Sequence, residues 1–141
     1  MADIFISYAN EDVKRVWPIV KELEKLGISV FFDRKIPVGE SWRYFIKKEL
    51  DESRCVLVFW SQHSINSAWV REEAEVAIKR GVLVPLLLDE VQAPFGFRII
   101  QAADLSDWKN NTSDPEFLQL IHAIEAKIGS SSKQEANEMW P

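Results

Sequence analysis

Short apolar runs recur along the chain and predict a series of β-strands. The run Cys55–Trp60 is apolar throughout, which predicts a strand that is buried on both faces. Alternating or short apolar runs predict four further strands at residues 4–6, 28–32, 82–88 and 98–100, the last with the weakest pattern. Pro85 counts against a central position for the strand that contains it, because proline cannot donate to a sheet hydrogen bond.

Apolar residues at helical spacing lie between these runs and predict four helices. Each predicted helix has a capping residue before it, and most have a glycine after it. The caps are Asn10, Ser41, Ser67 and Asp114, and the glycines that would end the helices are Gly27, Gly81 and Gly129. Pro18 either kinks the first helix or marks a later start. Residues 1–129 are thus predicted to form one domain, and residues 130–141 a flexible tail or a linker to a further domain.

Strands that alternate with helices predict an α/β fold in which a mostly parallel five-stranded sheet is covered on both faces. Ligands bind such sheets at the carboxyl ends of the strands. The segments that follow the predicted strands are therefore the places to look for chemistry. They are residues 7–10, 33–41, 61–67 and the segment from residue 89 onward.

Composition narrows the possible partners and the cellular compartment. The 141 residues suit one domain, and the formal charge of −5 argues against nucleic acid or anionic membrane as a partner. The single cysteine, Cys55, lies in an apolar run and predicts a buried thiol in a reducing, cytoplasmic setting. No run has the length of a membrane helix or the layout of a signal peptide, which adds to the cytoplasmic expectation.

Several familiar nucleotide and metal sites do not fit the residues. The five glycines are too widely spaced for a dinucleotide-binding turn or a phosphate-binding loop. The two histidines, His63 and His122, lie far apart in sequence and do not indicate a metal site. A phospho-accepting receiver domain would need an aspartate where the third strand ends in Trp60-Ser61.

Glu73 is the anomalous residue of the third predicted helix. At about 100° per residue and with Trp69 at zero, Glu73 falls at about 40°, inside the arc of apolar side chains. Its carboxylate would then point towards packed side chains or into a cleft and away from open solvent. Placing a charge there is unfavourable, which suggests that the acid has a role. The alternative is that Glu73 reaches past the apolar surface to solvent and pairs with Arg80.

Four short motifs in this order resemble the Toll/interleukin-1 receptor (TIR) domain family, particularly its bacterial members, over residues 3–128. The motifs are Asp3-Ile4-Phe5-Ile6-Ser7-Tyr8, Phe32-Asp33, the loop Ile36-Pro37-Val38-Gly39 with Trp42, and Ser67-Ala68-Trp69-Val70-Arg71-Glu72-Glu73. The chain departs from the family in two places. Only Asp107-Trp108 comes near the family's C-terminal Phe-Trp box, and Ser41 stands where some active relatives have an aromatic residue.

The resemblance implies a flavodoxin-like three-layer sandwich and, as in many bacterial TIR domains, cleavage of NAD+ at the nicotinamide–ribose bond. Carried over by position, the catalytic acid is Glu73. The implied substrate-binding residues are Ser7, Tyr8, Ala9, Asp33, Gly39, Trp42 and Trp69. NAD+ is the substrate, and no cofactor or metal is implied. The family also implies self-association through the BB loop, Arg34 to Glu40, and a role in bacterial immune or stress signalling.

Two functions remain open at the level of sequence. One is an NAD+ glycohydrolase or cyclase that is activated by assembly, giving ADP-ribose or a cyclic isomer. The other is a non-catalytic scaffold that signals only through TIR–TIR contacts, as many animal adaptors of the family do. Structural roles also compete at single residues: Asp33 as a cap of the loop, Trp42 as the anchor of its helix, and Ser7 as a backbone hydrogen-bond partner.

Overall fold

The computed structural model describes residues 2–32 and 37–139, apart from the side chains at positions 42 and 130–139. The strands are β1 (Ile4–Ser7), β2 (Val30–Phe31), β3 (Cys55–Trp60), β4 (Leu83–Leu87) and β5 (Ala103–Asp104). The α-helices are α1 (Val13–Lys25), α2 (Trp42–Glu52), α3 (Ala68–Arg80) and α4 (Pro115–Met139). Short 3-10 turns at Asn10–Asp12 and Ser64–Asn66 follow β1 and β3.

The five strands form one sheet in the order β2-β1-β3-β4-β5, and every neighbouring pair is parallel. This confirms the predicted α/β sandwich. In this order the chain leaves β1 towards one edge of the sheet and later returns to place β3 on the other side of β1. The boundary between β1 and β3 is therefore the switch point, where sheets of this kind bind ligands.

Alternation along the strands divides the core into two layers. Ile4 and Ile6 of β1 face the layer formed with α1 and α4, whereas Phe5 faces the layer formed with α2 and α3. Because side chains alternate, Ser7 is on the same face as Phe5. All six residues of β3 are buried, as its uninterrupted apolar sequence predicted.

The fifth strand lies elsewhere than predicted. Residues 98–100 are in turns, where the Ile100 N–H bonds to the Phe97 carbonyl at 3.5 Å. The Phe97 ring packs on Trp60 with the ring centroids 5.6 Å apart. The strand is instead Ala103–Asp104, which pairs with Leu86 and Leu87. Neither alanine nor aspartate favours strands, so local sequence carried no signal for it.

Pro18 and Pro85 are accommodated within their helix and strand. Helix α1 runs through Pro18, after a start at Val13 that is preceded by the 3-10 turn at Asn10–Asp12. In β4, Pro85 pairs with Val58 of β3, whereas the pairing with β5 involves only Leu86 and Leu87. Pro85 therefore lies where β4 has a sheet neighbour on one side, and an inner strand tolerates it for that reason.

The last helix begins as predicted but does not end at Gly129. Asp114 Oδ1 accepts a hydrogen bond from the Glu116 N–H at 2.8 Å, and Pro115 is the first helical residue. The helix continues to Met139, and Gly129 does not adopt the left-handed conformation of a helix-ending glycine. Residues 133–136, Lys-Gln-Glu-Ala, are good helix formers and support the extension. The division at residue 129 into a domain and a tail stays a prediction.

Within the described ranges, no helix has both the length and the apolar character that crossing a membrane requires.

Cys55 should be unreactive while the protein is folded. Its side chain is completely buried, and desolvation raises the thiol pKa to about 12, although the charge of Lys127 acts in the opposite direction. The thiolate is the reactive form, so iodoacetamide at pH 8 should label the native protein far more slowly than the urea-unfolded protein. Mass spectrometry of the labelled chain measures both rates. Equal rates would show that β3 is accessible in the native state.

Candidate active site

A buried serine and a buried glutamate meet where β1 ends. Ser7 is the last residue of β1, and alternation directs its side chain to the face that α3 covers. Ser7 Oγ donates a hydrogen bond of 2.7 Å to Glu73 Oε1. Ser7 is 0% and Glu73 3% exposed, so the pair is shielded from bulk water. Burying a carboxylate is unfavourable unless it has partners, so Glu73 is a candidate functional residue.

The packing of α3 explains the burial of Glu73. Ser67 caps the helix by accepting a hydrogen bond from the Val70 N–H at 3.2 Å, and Gly81 ends it at φ 72°. The capped helix buries Val70, Ala74 and Ala77 together with Glu73. The solvent-reaching alternative for Glu73 is therefore wrong. Arg80, its suggested partner, instead donates to the carbonyls of Leu50 at 2.8 Å and Ser53 at 2.7 Å.

Glu73 lines a cavity of about 250 Å³ between α2 and α3. The apolar part of the wall comes from Ile46, Leu50, Trp69 and Val76, and the polar part from Arg43, Lys47, Glu72 and Glu73. The ammonium of Lys47 lies 2.9 Å from Asp51. A buried carboxylate thus borders an apolar cavity that has two cationic side chains on its rim.

A second, more polar cavity of about 520 Å³ opens at the switch point between β1 and β3. Its walls are formed by the residues that follow these strands and by the start of α3: Tyr8, Ala9, Asn10, Glu11, His63, Asn66, Ser67 and Trp69. His63 Nδ1 lies 3.7 Å from Glu11 Oε2 across this space. Trp69 lines both cavities and therefore stands between the polar cavity and the one that contains Glu73.

The structure brings together most of the residues singled out from the sequence. Glu73, Tyr8, Ala9 and Trp69 line the two cavities, and Ser7 lies behind Glu73, to which it is hydrogen-bonded. Tyr8 also stacks on Phe32 with ring centroids 5.3 Å apart.

Of the other three singled-out positions, the structure describes only Gly39 in full. Gly39 is in an exposed turn at φ 91° and is not among the described residues that line either cavity. Asp33, the loop residues 34–36 and the side chain of Trp42 lie outside the described residues.

A network of charged and hydroxyl groups ties the loops beside the polar cavity together. The buried Asp12 accepts hydrogen bonds from Ser61 Oγ and, at 2.8 Å, from Arg15. Arg15 also holds both carboxylate oxygens of Asp89, at 2.7 and 3.1 Å, and one of these oxygens accepts from the Gln62 N–H. The hydrogen bonds from Arg15 hold the pKa of Asp89 below its usual range. The ends of β1, β3 and β4 are thereby linked.

The sequence patterns that single out Glu73 do not indicate Arg43, Lys47 or this network. Arg43 and Lys47 lie four residues apart on α2, so they are neighbours on the helix surface beside its apolar face. That spacing is the sequence signal that could have indicated them. Asp12 looked like an ordinary acidic residue in a first helical turn. No local pattern shows that it meets Ser61 and, through Arg15, Asp89.

The sheet order defines a doubly wound α/β domain. Its polar cavity lies at the β1/β3 boundary, where such domains bind ligands, and the buried acid Glu73 lies nearby. A family model described as "TIR domain" matches residues 4–121. The chain therefore belongs to the TIR domain family, as its motifs indicated.

Solved structures agree with this assignment. The TIR domain of the Toll-related receptor TRR-2 from Hydra magnipapillata superposes with a TM-score of 0.76 and 20% identity, covering 89% of this chain and 99% of that one. At that identity the likeness shows the fold, which is the predicted three-layer sandwich.

Bacterial relatives with assigned names match about half of the chain. The NAD(+) hydrolase TcpC of Escherichia coli O6:H1 is 35% identical over 82 residues, 57% of this chain and 27% of TcpC. A probable 2′ cyclic ADP-D-ribose synthase, TcpB of Brucella melitensis, is 35% identical over 75 residues, 52% of this chain and 30% of TcpB. The chain thus spans less than a third of the length of these relatives.

Proposed function

We propose that this domain cleaves NAD+ at the nicotinamide–ribose bond, with Glu73 as the catalytic residue. The observation that carries the proposal is the buried carboxylate of Glu73 on the wall of an apolar cavity. Bacterial relatives named as an NAD(+) hydrolase and as cyclic ADP-D-ribose synthases support the same reaction class.

The chemistry needs only one carboxylate. Nicotinamide leaves a cationic pyridinium as a neutral molecule, so no acid has to protonate the leaving group, unlike the two-carboxylate scheme of ordinary glycosidases. Positive charge develops on the ribose as the bond breaks. The carboxylate of Glu73, in a site with little water, stabilises that charge more strongly than it would in bulk solvent. Attack by water gives ADP-ribose, and attack by a group of the bound substrate gives a cyclic isomer.

Arg43 and the two neighbouring cavities suit a dinucleotide. NAD+ carries a diphosphate, and Arg43 places positive charge on the rim of the Glu73 cavity, whereas Lys47 on the same rim is already paired with Asp51 at 2.9 Å and Glu72 adds a negative charge. Trp69 borders the Glu73 cavity on one side and the polar cavity on the other. We assign the nicotinamide riboside to the Glu73 cavity, with Trp69 as a wall of the ribose site.

Incubation with NAD+ tests the proposal. The purified chain, concentrated or clustered on a multivalent support, should convert NAD+ to nicotinamide plus ADP-ribose or a cyclic isomer, resolved by liquid chromatography and mass spectrometry. NAD+ that stays intact for hours under clustering would overturn the enzymatic proposal and leave the scaffold function in its place.

Self-association through the BB loop is part of the proposal. In the described part of this loop, Val38 is fully exposed at 105%, which suits an apolar contact with another copy. The turn itself depends on Gly39 at φ 91°, a conformation that side chains other than glycine's rarely adopt.

Gly39→Asp should weaken assembly and NAD+ cleavage together. The substitution strains the backbone by about 1–2 kcal/mol and adds a negative charge to the turn. Sedimentation velocity and NAD+ consumption measure the two effects. Gly27→Asp is the matched control, because Gly27 has φ 82° and open space around it but precedes β2, whereas Gly39 follows that strand. A wild type that stays monomeric when concentrated, or a Gly39→Asp variant with unchanged oligomer size and activity, contradicts this role for the loop.

A role in bacterial immune or stress signalling and a cytoplasmic location stay predictions from the sequence.

A further inference from the structure

We infer that Ser7 acts on the reaction through Glu73, as a positioning residue that fixes the catalytic carboxylate, and does not touch NAD+ itself. The inference rests on the proposed function of Glu73. It changes the role of Ser7 from the substrate contact that the family resemblance implied.

The position of Ser7 is rigid. Ser7 is the last residue of β1, which pairs with β2 at Ile4 and Phe5 and with β3 along its whole length, where Val58 is the register partner of Ser7. Its side chain has a single rotatable carbon–carbon bond, so the strand backbone largely determines where the hydroxyl points. A 2.7 Å hydrogen bond from this hydroxyl ties Glu73 Oε1 to the sheet.

Glu73 needs such a tie. Its carboxylate is on a longer side chain with three rotatable bonds, and it comes from a helix that packs against the sheet from outside. A hydrogen bond donated to an ionised carboxylate stabilises the charged form in a place where burial opposes it. The Ser7 hydroxyl thus favours both the charge and the orientation that stabilisation of the ribose cation requires.

The burial of Ser7 argues against direct contact with substrate. Ser7 is 0% exposed and is not among the described residues that line either cavity, whereas its neighbours Tyr8 and Ala9 line the polar one. A dinucleotide that occupies these cavities would therefore meet Glu73 before it could reach Ser7.

The first experiment compares Ser7→Ala with the wild type in steady-state NAD+ cleavage. We expect kcat to fall by about 10- to 100-fold, the range of a lost supporting hydrogen bond, while KM changes by less than about twofold. Ser7→Thr, which keeps the hydroxyl, should restore most of kcat.

Ser53→Ala is the matched control for this comparison. Ser53 is 1% exposed and donates its hydroxyl to the Leu50 carbonyl at 3.0 Å, so the control removes a buried hydroxyl from a residue that is not among the described residues lining either cavity. Its kcat should match the wild type even if its melting temperature falls as far as that of Ser7→Ala. Equal losses of kcat in both alanine variants would mean that general destabilisation is the cause, and would overturn the inference.

The second experiment measures NAD+ binding by calorimetry in the inactive Glu73→Gln background, with and without Ser7→Ala. A positioning residue leaves the Kd unchanged within about twofold, whereas a substrate contact weakens binding by about tenfold. Weaker NAD+ binding would overturn the inference about Ser7 and leave the proposed function standing. An unchanged kcat in Ser7→Ala would have the same consequence. A wild-type protein that leaves NAD+ intact would overturn the proposed function first and the role of Ser7 with it.

Discussion

Glu73→Gln should reduce NAD+ cleavage by about 1,000-fold or more while the fold stays intact. The amide has nearly the shape of the carboxylate, so it fits the same buried position, and its oxygen can still accept the hydrogen bond from Ser7 Oγ. What disappears is the negative charge that offsets the positive charge on the ribose. Because the loss concerns the transition state, kcat should fall far more than affinity for NAD+.

Chromatographic assay of NAD+ loss, with circular dichroism and thermal melting on the same samples, measures this effect. Glu75→Gln is the matched control, since Glu75 lies on the same helix and loses the same charge but is exposed. It should keep full activity. Substantial activity in Glu73→Gln would contradict the assignment of the catalytic residue, and equal losses in both variants would point to the charge of α3 as a whole.

Asp12→Ala should be the most destabilising substitution outside the two core layers, lowering the free energy of unfolding by about 2–4 kcal/mol. Asp12 is 1% exposed and accepts hydrogen bonds from Ser61 and Arg15, so its removal leaves the Ser61 hydroxyl buried without that acceptor. The remaining contacts between Arg15 and Asp89 are partly exposed and compensate little.

Urea denaturation followed by tryptophan fluorescence measures the change. Glu11→Ala is the matched control, because Glu11 is the adjacent acid and its side chain is 62% exposed. Its free energy of unfolding should stay within about 0.5 kcal/mol of the wild type. If Asp12→Ala also changed the free energy of unfolding by less than about 0.5 kcal/mol, the network would not hold the ends of β1, β3 and β4 together.

The sequence was informative where a pattern is local. Uninterrupted apolar residues predicted β3, and a capping serine with a following glycine predicted both ends of α3. The position of Glu73 within the apolar arc of that helix predicted its burial, and the structure confirms it. These predictions succeed because helix periodicity, capping and burial all depend on residues only a few positions apart.

The features that the sequence does not predict depend on the folded chain and not on local patterns. Strand β5 forms at Ala103–Asp104 because β4 offers it a partner, and the residues themselves carry no preference for a strand. Gly129 predicts a helix end, yet a glycine that ends a helix usually adopts the left-handed conformation, and Gly129 does not. The partners of Asp12 and Ser7 lie far away in the sequence, so only the folded chain brings them together.

The separation between Ser7 and Glu73 has a consequence during synthesis. The two residues are 66 positions apart, and their contact requires β1 and β3 to be paired and α3 to be packed on them. A nascent chain that has not yet released α3 from the ribosome lacks the hydrogen bond between Ser7 and the proposed catalytic residue Glu73. Under the proposed function, copies that have not yet released α3 cannot consume the NAD+ of the cell that makes them.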